Sequence, residues 1–342
     1  MPSFQILMQN NFQEQLNQLI AKETSFLLFR KPNTERVELW FDEQKGENQF
    51  VFHPFNQQEP IVFHMYEIMH MPIADLKLNI TLPYATHDES ITYEQYLQLI
   101  EDTVHELNHS STQKIVISRI KEIPNRGVRL DESLKHIHQT YPQAFVYLWY
   151  SKDNGVWIGA SPELLLEEEN LTIQTVSLAG TLPKEEEWTA KEIHEQQVVT
   201  DYIVSKLQGF KHIQVDGPHT VDAGFFNHLK SFISAEVPHY QAVEETLRQL
   251  HPTPAVCGMP KEQAKAFILA HEGYDRKYYA GYFGFKTPTK SQYFVNLRCA
   301  QIFSNTVKLY VGGGIMPDSD PEKEWKETEL KSKTIGNLLV TD

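Results

Sequence analysis

The end of the chain holds the densest set of residues that could do chemistry. Three consecutive glycines, 312–314, precede a segment that contains Glu324, Glu327 and Lys331. Glycine has no Cβ, so its backbone can pass close to a ligand. Residues three or four apart share one face of a helix, so both carboxylates and the lysine would lie together. Carboxylate oxygens suit a hard cation and lysine suits an anion, which indicates a site for a cation and an anionic small molecule.

The residues before these glutamates are typical of a helix start. Ser319 and Asp320 offer capping oxygens, and Pro321 suits the first turn because an N–H would lack a partner there. We therefore expect the last helix of the chain to begin at this point.

Two further residues could exchange protons with a substrate. Lys114 precedes an apolar, strand-like run, and partial burial there would lower the pKa of the amine and let it act as a base. Glu163 precedes three leucines, which could desolvate the carboxyl and raise its pKa toward that of a general acid. Each residue taken alone is more often a solvated charge at a strand end, so these roles depend on the rest of the pattern.

Other segments contribute single candidates. Glu195 lies in a predicted helix and is a third carboxylate for the cation, for which Mg²⁺ is suited because it prefers hard oxygen ligands. Arg298 ends a strand-like run, and its planar fork matches a carboxylate. Gly180 allows a close backbone approach beside the hydroxyl of Thr181. Taken alone, Arg298 could be a surface pair and Tyr279 a core residue.

Composition and charge exclude several classes of protein. The chain has 342 residues, of which 41% are hydrophobic and 22% charged, as in a globular protein. The net charge of -14 argues against nucleic-acid binding, which needs a basic footprint. No apolar run reaches the roughly 20 residues of a membrane span, and no signal peptide is visible, so we expect a cytoplasmic protein. The two cysteines form neither a metal cluster nor a disulfide framework.

The order of predicted elements indicates the fold class. Strand-like runs follow one another without strict alternation with helices, which predicts an α+β fold with a largely antiparallel sheet. We expect a single domain over 1–342, with 1–90 as a variable N-terminal part and 91–342 as the catalytic region. The principal predicted helices are 93–107, 188–207, 240–250 and 260–271, and the principal predicted strands are 114–119, 156–160, 171–178, 232–235, 278–285, 292–303 and 307–311.

Taken together, these segments resemble the chorismate-utilising enzymes, a family that includes isochorismate, salicylate, anthranilate and aminodeoxychorismate synthases. The resemblance covers residues from about 90 to 342. Its motifs occur in the family's order at 114–119, 161–165, 178–181, 191–195, 251–255, 272–281, 298–300 and 312–331.

The resemblance implies a fold, a substrate and a metal. The fold consists of two related α/β halves with stacked, largely antiparallel sheets, helices outside and the site in a cleft. Chorismate would be the substrate, and Mg²⁺ would be bound by Glu195, Glu324 and Glu327. Tyr279 and Arg298 would bind the enolpyruvyl carboxylate. The positions matched to the substrate site are Ala179, Gly180, Thr181, Ala255, Tyr279, Arg298, Gly312, Gly314 and Lys331.

Three positions separate the branches of the family. Lys114 matches the general base of the water-adding enzymes, where ammonia-using members have glutamine. Ala179 replaces the lysine of aminodeoxychorismate synthases, and Ala255 replaces the threonine of salicylate synthases. The resemblance therefore implies isomerisation of chorismate to isochorismate, with Lys114 activating water for attack at C2 and Glu163 protonating the C4 hydroxyl as it leaves.

Two alternatives remain open at this point. A salicylate synthase would carry out the same first step and then eliminate pyruvate. An aminating subunit would bind chorismate but need a glutaminase partner, which Lys114 disfavours. We expect a monomer without an obligate protein partner, and menaquinone biosynthesis in preference to siderophore biosynthesis.

Overall fold

Helices and strands are described in the computed structural model for residues 2–56, 59–87, 89–222 and 226–342, without the side chains of 2–10, 181, 183, 191 and 226. The α-helices in that part of the chain are α1 (Pro2–Ala21), α2 (Tyr93–His109), α3 (Leu130–Thr140), α4 (Ala190–Lys206), α5 (Tyr240–Leu250), α6 (Lys261–His271) and α7 (Pro321–Gly336). The strands are β1 (Phe26–Arg30), β2 (Arg36–Phe41), β3 (Asn48–His53), β4 (Ile61–Met65), β5 (Met69–Pro72), β6 (Lys114–Pro124), β7 (Phe145–Ser151), β8 (Gly155–Ser161), β9 (Leu164–Glu169), β10 (Thr172–Pro183), β11 (Lys211–Asp222), β12 (Phe226–Glu236), β13 (Gly258–Met259), β14 (Tyr282–Lys286), β15 (Lys290–Val295), β16 (Cys299–Ile302) and β17 (Thr306–Ile315).

The strands form two antiparallel sheets. The first has nine strands in the order β13-β6-β17-β16-β8-β7-β1-β2-β5, and the second has eight in the order β11-β12-β10-β9-β15-β14-β3-β4. Neighbouring strands pair antiparallel in both sheets, for example β6 with β17 and β10 with β12. The α+β prediction with a largely antiparallel sheet is confirmed.

The sheets stack face to face, as the alternation of side chains along β1 shows. Leu27 and Phe29 belong to a buried cluster that also contains Phe50 and Phe283 of the second sheet. Leu28, the residue between them, belongs to a second cluster under the helices. Successive strand residues point to opposite faces, so one face of the first sheet packs on the second sheet and the other packs on helices.

Two connections cross between the sheets side by side. β8 ends in the first sheet at Ser161 and β9 begins in the second at Leu164. The carbonyl of Glu163, in this connection, accepts a hydrogen bond of 3.0 Å from the amide of Val295 at the end of β15. The amide of Ala160 in turn donates to the carbonyl of Arg298 at 3.0 Å. The crossing thus brings Glu163 and Arg298, 135 residues apart in sequence, into one region.

The prediction of one continuous strand over 292–303 was wrong, and the error lies at the second crossing. The structure divides it at residues 296–298, where Arg298 has a φ of 47°. Asn296 stabilises the break, since its side chain accepts a hydrogen bond from the hydroxyl of Tyr147 and donates one to the carbonyl of Tyr278. The chain must leave the second sheet here to enter the first.

Residues 56–90 include the short strands β4 and β5. Cys257 and Cys299 are both buried and not disulfide-bonded. No helix among the described residues is long and apolar enough to cross a membrane.

Candidate active site

Lys114 begins β6 beside the glycine segment of β17. These strands pair with Gly314 opposite Val116, so the lysine lies just beyond the glycines. A Cβ added to Gly314 would lie 2.7 Å from Cε of Lys114, which is closer than such atoms approach. Nζ of Lys114 lies 3.2 Å from Oε1 of Glu195 on α4. The predicted base is therefore held between a bare stretch of backbone and a predicted metal ligand.

Glu163 lies in the connection between the two sheets, with its carboxyl withdrawn from water. This desolvation raises the pKa of Glu163 to about 7, although the positive charges of Lys114 and Lys230 oppose the rise. The direction is the one expected for a general acid, which must hold its proton near neutral pH. The two residues therefore lie close enough to interact electrostatically.

The last helix begins as the sequence predicts. Asp320 is the N-cap, its carboxylate accepts a hydrogen bond of 2.9 Å from the amide of Lys323, and Pro321 is the first helical residue. Lys331 forms an ion pair of 2.6 Å with Glu327 one turn earlier, which confirms that these side chains share a face.

Glu324 and Glu327 of α7 lie together against Gly313. A Cβ added to this glycine would lie 3.1 Å from Oε2 of Glu324 and 3.6 Å from Oε1 of Glu327. The hydroxyl of Ser319 donates a hydrogen bond of 2.7 Å to Glu324. Burial and, more weakly, the charge of Glu327 raise the pKa of Glu324, while the bond from Ser319 opposes the rise. A cation between the two carboxylates would relieve both effects.

The donor chemistry of this region fits Mg²⁺. Three carboxylates, Glu195, Glu324 and Glu327, come from α4 and α7, and hard oxygen ligands of this kind are those that Mg²⁺ takes. As the side chains stand, no three His, Cys, Asp or Glu groups within the described residues form a ready ligand cluster. Glu195 is paired with Lys114 and Glu327 with Lys331, so these two lysines hold the carboxylates that a metal would use.

The turn at Gly180 is the segment predicted to border the substrate. Gly180 has a φ of 75° and interrupts the pairing of β10 with β12 between Ala179 and Thr181. Its carbonyl lies 3.2 Å from Nδ1 of His228. Ala179 is buried, and the side chain of Thr181 lies outside the described residues, so its contribution stays a prediction.

Ala255 precedes the short strand β13, which pairs with Lys114 and Ile115 of β6. The carbonyl of Cys257 accepts a hydrogen bond of 2.8 Å from the amide of Val116, which fixes this segment beside the predicted base. The structure therefore places Ala255 in a segment attached to the start of β6.

Tyr279 and Arg298, the predicted carboxylate-binding residues, occupy different surroundings. Tyr279 is buried and stacks on Tyr310 with ring centroids 5.6 Å apart. Burial raises the pKa of its hydroxyl, which therefore keeps its proton as a hydrogen-bond donor. The guanidinium of Arg298 lies 5.1 Å from the ring of Tyr141, and desolvation lowers its pKa.

The remaining predicted anion-binding residues lie close together. Nζ of Lys331 donates a hydrogen bond of 2.9 Å to the carbonyl of Gly312. Desolvation lowers the pKa of His228, and the charges of Lys331 and Arg298 act in the same direction, whereas Glu195 acts in the opposite direction. His228 is therefore close enough to Lys331, Arg298 and Glu195 to interact with them electrostatically.

His228 and Lys230 interact with predicted site residues but were not themselves predicted from the sequence. Both lie on β12, of which only residues 232–235 were predicted as extended. Their spacing of two, next to Leu229, is the alternation of a strand, and this signal would have placed both on one face. Lys230 interacts electrostatically with Glu163.

A comparison with known families identifies the family of this chain. Residues 67–340 match the family model described as chorismate binding enzyme. The chain belongs to the chorismate binding enzyme family. The match includes all but the last two residues of the predicted catalytic region and extends into the part expected to be variable.

Curated relatives of this chorismate binding enzyme include several isochorismate synthases. Isochorismate synthase DhbC of Bacillus subtilis is 30% identical over 273 residues, which cover 73% of this chain and 68% of that protein. The vibriobactin-specific isochorismate synthase of Vibrio cholerae is 28% identical over 303 residues, covering 82% of this chain and 76% of that protein. MenF of Escherichia coli is 30% identical over 262 residues, and the match spans 71% of this chain and 60% of MenF.

Solved structures agree with the fold of the family. The menaquinone-specific isochorismate synthase MenF of Escherichia coli superposes with a TM-score of 0.79 at 21% identity, covering 92% of this chain and 89% of that one. A putative 2,3-dihydroxybenzoate-specific isochorismate synthase of Bacillus anthracis gives a TM-score of 0.75 at 23% identity, with 94% and 98% covered. The predicted arrangement of stacked sheets with helices outside is thereby confirmed.

Proposed function

We propose that this chain is an isochorismate synthase that isomerises chorismate with Mg²⁺ as cofactor. The observation that carries the proposal is the pairing of opposite proton-transfer groups: a lysine, Lys114, and a desolvated carboxyl, Glu163, that lie close enough to interact electrostatically. The pKa of Glu163, about 7, suits an acid that works near neutral pH. Family membership and the isochorismate synthases among the relatives support the same activity.

In the proposed reaction one water is added and one is lost. Lys114, as the neutral amine, takes a proton from a water whose oxygen bonds to C2 of the ring. The ring double bonds shift, and the bond from C4 to its hydroxyl breaks as Glu163 supplies a proton to the leaving oxygen. Each of the two proton transfers contributes about 10²–10⁴-fold to the rate.

The carboxylates of α4 and α7 would hold the metal. Glu195, Glu324 and Glu327 supply oxygen ligands, and bound Mg²⁺ would balance the charge of a substrate carboxylate. Lys331 and the backbone at Gly312 and Gly314 would complete the anion site beside these carboxylates.

The second carboxylate of the substrate, on the enolpyruvyl group, would bind to residues other than those that hold the metal. Arg298 offers a planar fork that matches a carboxylate, and Tyr279 offers a protonated hydroxyl. Gly180 and His228 would border the ring, because the turn at Gly180 brings its backbone to the site without a side chain.

Variants of the two proton-transfer residues test the proposal. Lys114→Ala is expected to lose turnover while chorismate still binds in the presence of Mg²⁺, as measured by calorimetry. Glu163→Gln is expected to lose turnover with its fold intact, as measured by circular dichroism. Loss of binding in Lys114→Ala would make this lysine structural, and wild-type rates in Glu163→Gln would refute its role as the acid.

The proposal also covers location, assembly and pathway. We place the enzyme in the cytoplasm as a monomer that needs no glutaminase partner, and we favour menaquinone biosynthesis. A siderophore pathway is the alternative, since the relatives include synthases of both kinds. Light scattering of the purified protein tests the monomer, and deletion of the gene followed by quinone and siderophore analysis tests the pathway.

A further inference from the structure

Lys230 interacts electrostatically with Glu163 and has no role in the reaction described above. It follows His228 by two residues on β12, so both side chains point to the same face of the strand. Nδ1 of His228 lies 3.2 Å from the carbonyl of Gly180, a residue predicted to border the substrate. Lys230 is therefore directed toward the same region.

The sheet also brings Lys230 near Glu163. Lys230 pairs with Leu178 of β10, and the other neighbour of β10 is β9, which Glu163 immediately precedes. Gln174 of β10 lies opposite Glu167 of β9, and extending this antiparallel register by four residues brings Glu163 opposite Leu178. Glu163 and Lys230 are then two strands apart, near one row across the sheet. Two strand spacings are about 9.6 Å, and a lysine side chain can reach across much of this distance.

The ammonium of Lys230 has few other partners. Nζ lies 4.7 Å from the ring centroid of Phe232. Within the described residues it forms neither a hydrogen bond nor an ion pair, and the acidic group with which it interacts is Glu163. The charged groups that face Glu163 are Lys114 of β6 and Lys230 of β12. Lys114 has the larger effect on Glu163 but is also ion-paired with Glu195, whereas Glu163 is the acidic group that acts on Lys230.

We propose that Lys230 is a positioning residue that keeps the acid Glu163 balanced between its protonated and ionised forms. Burial alone would hold the proton on Glu163 so firmly that it would be a weak acid. A positive charge nearby stabilises the carboxylate that remains after the proton is given up. The inference rests on the proposed function in one respect, the role of Glu163 as the acid.

The direct test is the titration of Glu163 in the intact protein by infrared difference spectroscopy. The band of its protonated carboxyl is assigned by its loss in Glu163→Gln and followed with pH. In Lys230→Met the midpoint is expected to rise by about one pH unit, because a cation that favours the carboxylate is gone. Lys230→Arg retains the charge and should titrate close to the wild type.

Lys211→Met is the matched control, since it removes the same charge from an exposed position on the neighbouring strand β11. Its titration should coincide with that of the wild type. An unchanged midpoint in Lys230→Met, or an equal rise in Lys211→Met, would overturn the inference. Because the infrared titration needs no substrate, it tests the role of Lys230 even if chorismate is not converted. A failure of this inference can therefore be distinguished from a failure of the proposed function.

In the active enzyme the same variant should move the pH profile. The high-pH limb of kcat, where Glu163 loses its proton, is expected at higher pH in Lys230→Met than in the wild type. A merely structural lysine would lower kcat at all pH values without moving this limb.

Discussion

The ammonium of Lys114 lies 3.2 Å from Oε1 of Glu195, so the proposed base and a proposed metal ligand form an ion pair. The two residues are 81 positions apart and come from β6 and α4. On its other side, Lys114 lies against the bare backbone of Gly314. The position of the base thus depends on both a charged partner and a missing side chain.

Alanine at two adjacent glycines should separate catalysis from metal binding. In Gly314→Ala the new Cβ would lie 2.7 Å from Cε of Lys114, so the amine must shift and kcat should fall by up to about 10²-fold. In Gly313→Ala the Cβ would instead lie 3.1 Å from Oε2 of Glu324, so the affinity for Mg²⁺ should fall first. Steady-state kinetics at saturating Mg²⁺ and calorimetry with Mg²⁺ measure the two effects. The assignment fails if both variants show the same pattern.

The pH dependence of turnover should reflect the ionisation of Glu163. Its pKa is raised to about 7 by burial, and the acid works only while protonated. We therefore expect kcat to fall as pH rises through about 7. A profile that remains flat to pH 9 would show that no group of this kind limits the reaction.

The stability of the protein should also depend on pH through the raised pKa of Glu163. The ordinary pKa of a glutamate is 4.5 and the folded protein raises that of Glu163 to about 7. Between these values the folded state holds a proton that the unfolded state has lost, so stability falls as pH rises. Melting temperatures from pH 4 to 8 should therefore decline less in Glu163→Gln than in the wild type. Parallel curves would contradict the raised pKa.

The metal site can be tested with two glutamates on the same helix. Glu327 pairs with Lys331, and Glu322 pairs with Lys326, both four residues apart. Glu327→Gln should weaken Mg²⁺ binding by about tenfold or more, whereas Glu322→Gln should leave it unchanged. Calorimetry with Mg²⁺ measures both. Equal losses in the two variants would indicate a general charge effect in place of a ligand.

Ala255 should control the fate of the product. The segment containing it is fixed beside β6, and threonine at this position is typical of the salicylate-forming branch. Ala255→Thr is expected to increase the ratio of salicylate to isochorismate, measured by liquid chromatography. Ala255→Ser, which adds a hydroxyl without the methyl group, is the control for polarity. An unchanged ratio in the threonine variant would remove this distinction between the branches.

Local features of the chain were predictable because their causes are local. The cap at Asp320 with Pro321 fixes where α7 begins, and spacing alone places Glu324 and Glu327 on one face. The leucines after Glu163 indicated a desolvated carboxyl, and the structure agrees in the direction of the pKa. Each of these depends on residues within a few positions.

Long-range features were not predictable in this way. The break at Asn296 carries no glycine or proline, and its cause is the passage of the chain between sheets, stabilised by Tyr147. The ion pair of Lys114 with Glu195 depends on how β6 and α4 pack. Lys230 was not predicted because the predicted strand began at residue 232. Its spacing of two residues from His228 is nevertheless typical of a strand.

Product identification tests the central claim most directly. The purified protein is incubated with chorismate and Mg²⁺, without glutamine or ammonia, and the mixture is resolved by chromatography with mass spectrometry. We expect isochorismate to form in the wild type and to be absent with Glu163→Gln. Recovery of chorismate alone, or salicylate and pyruvate as the main products, would contradict the proposed function.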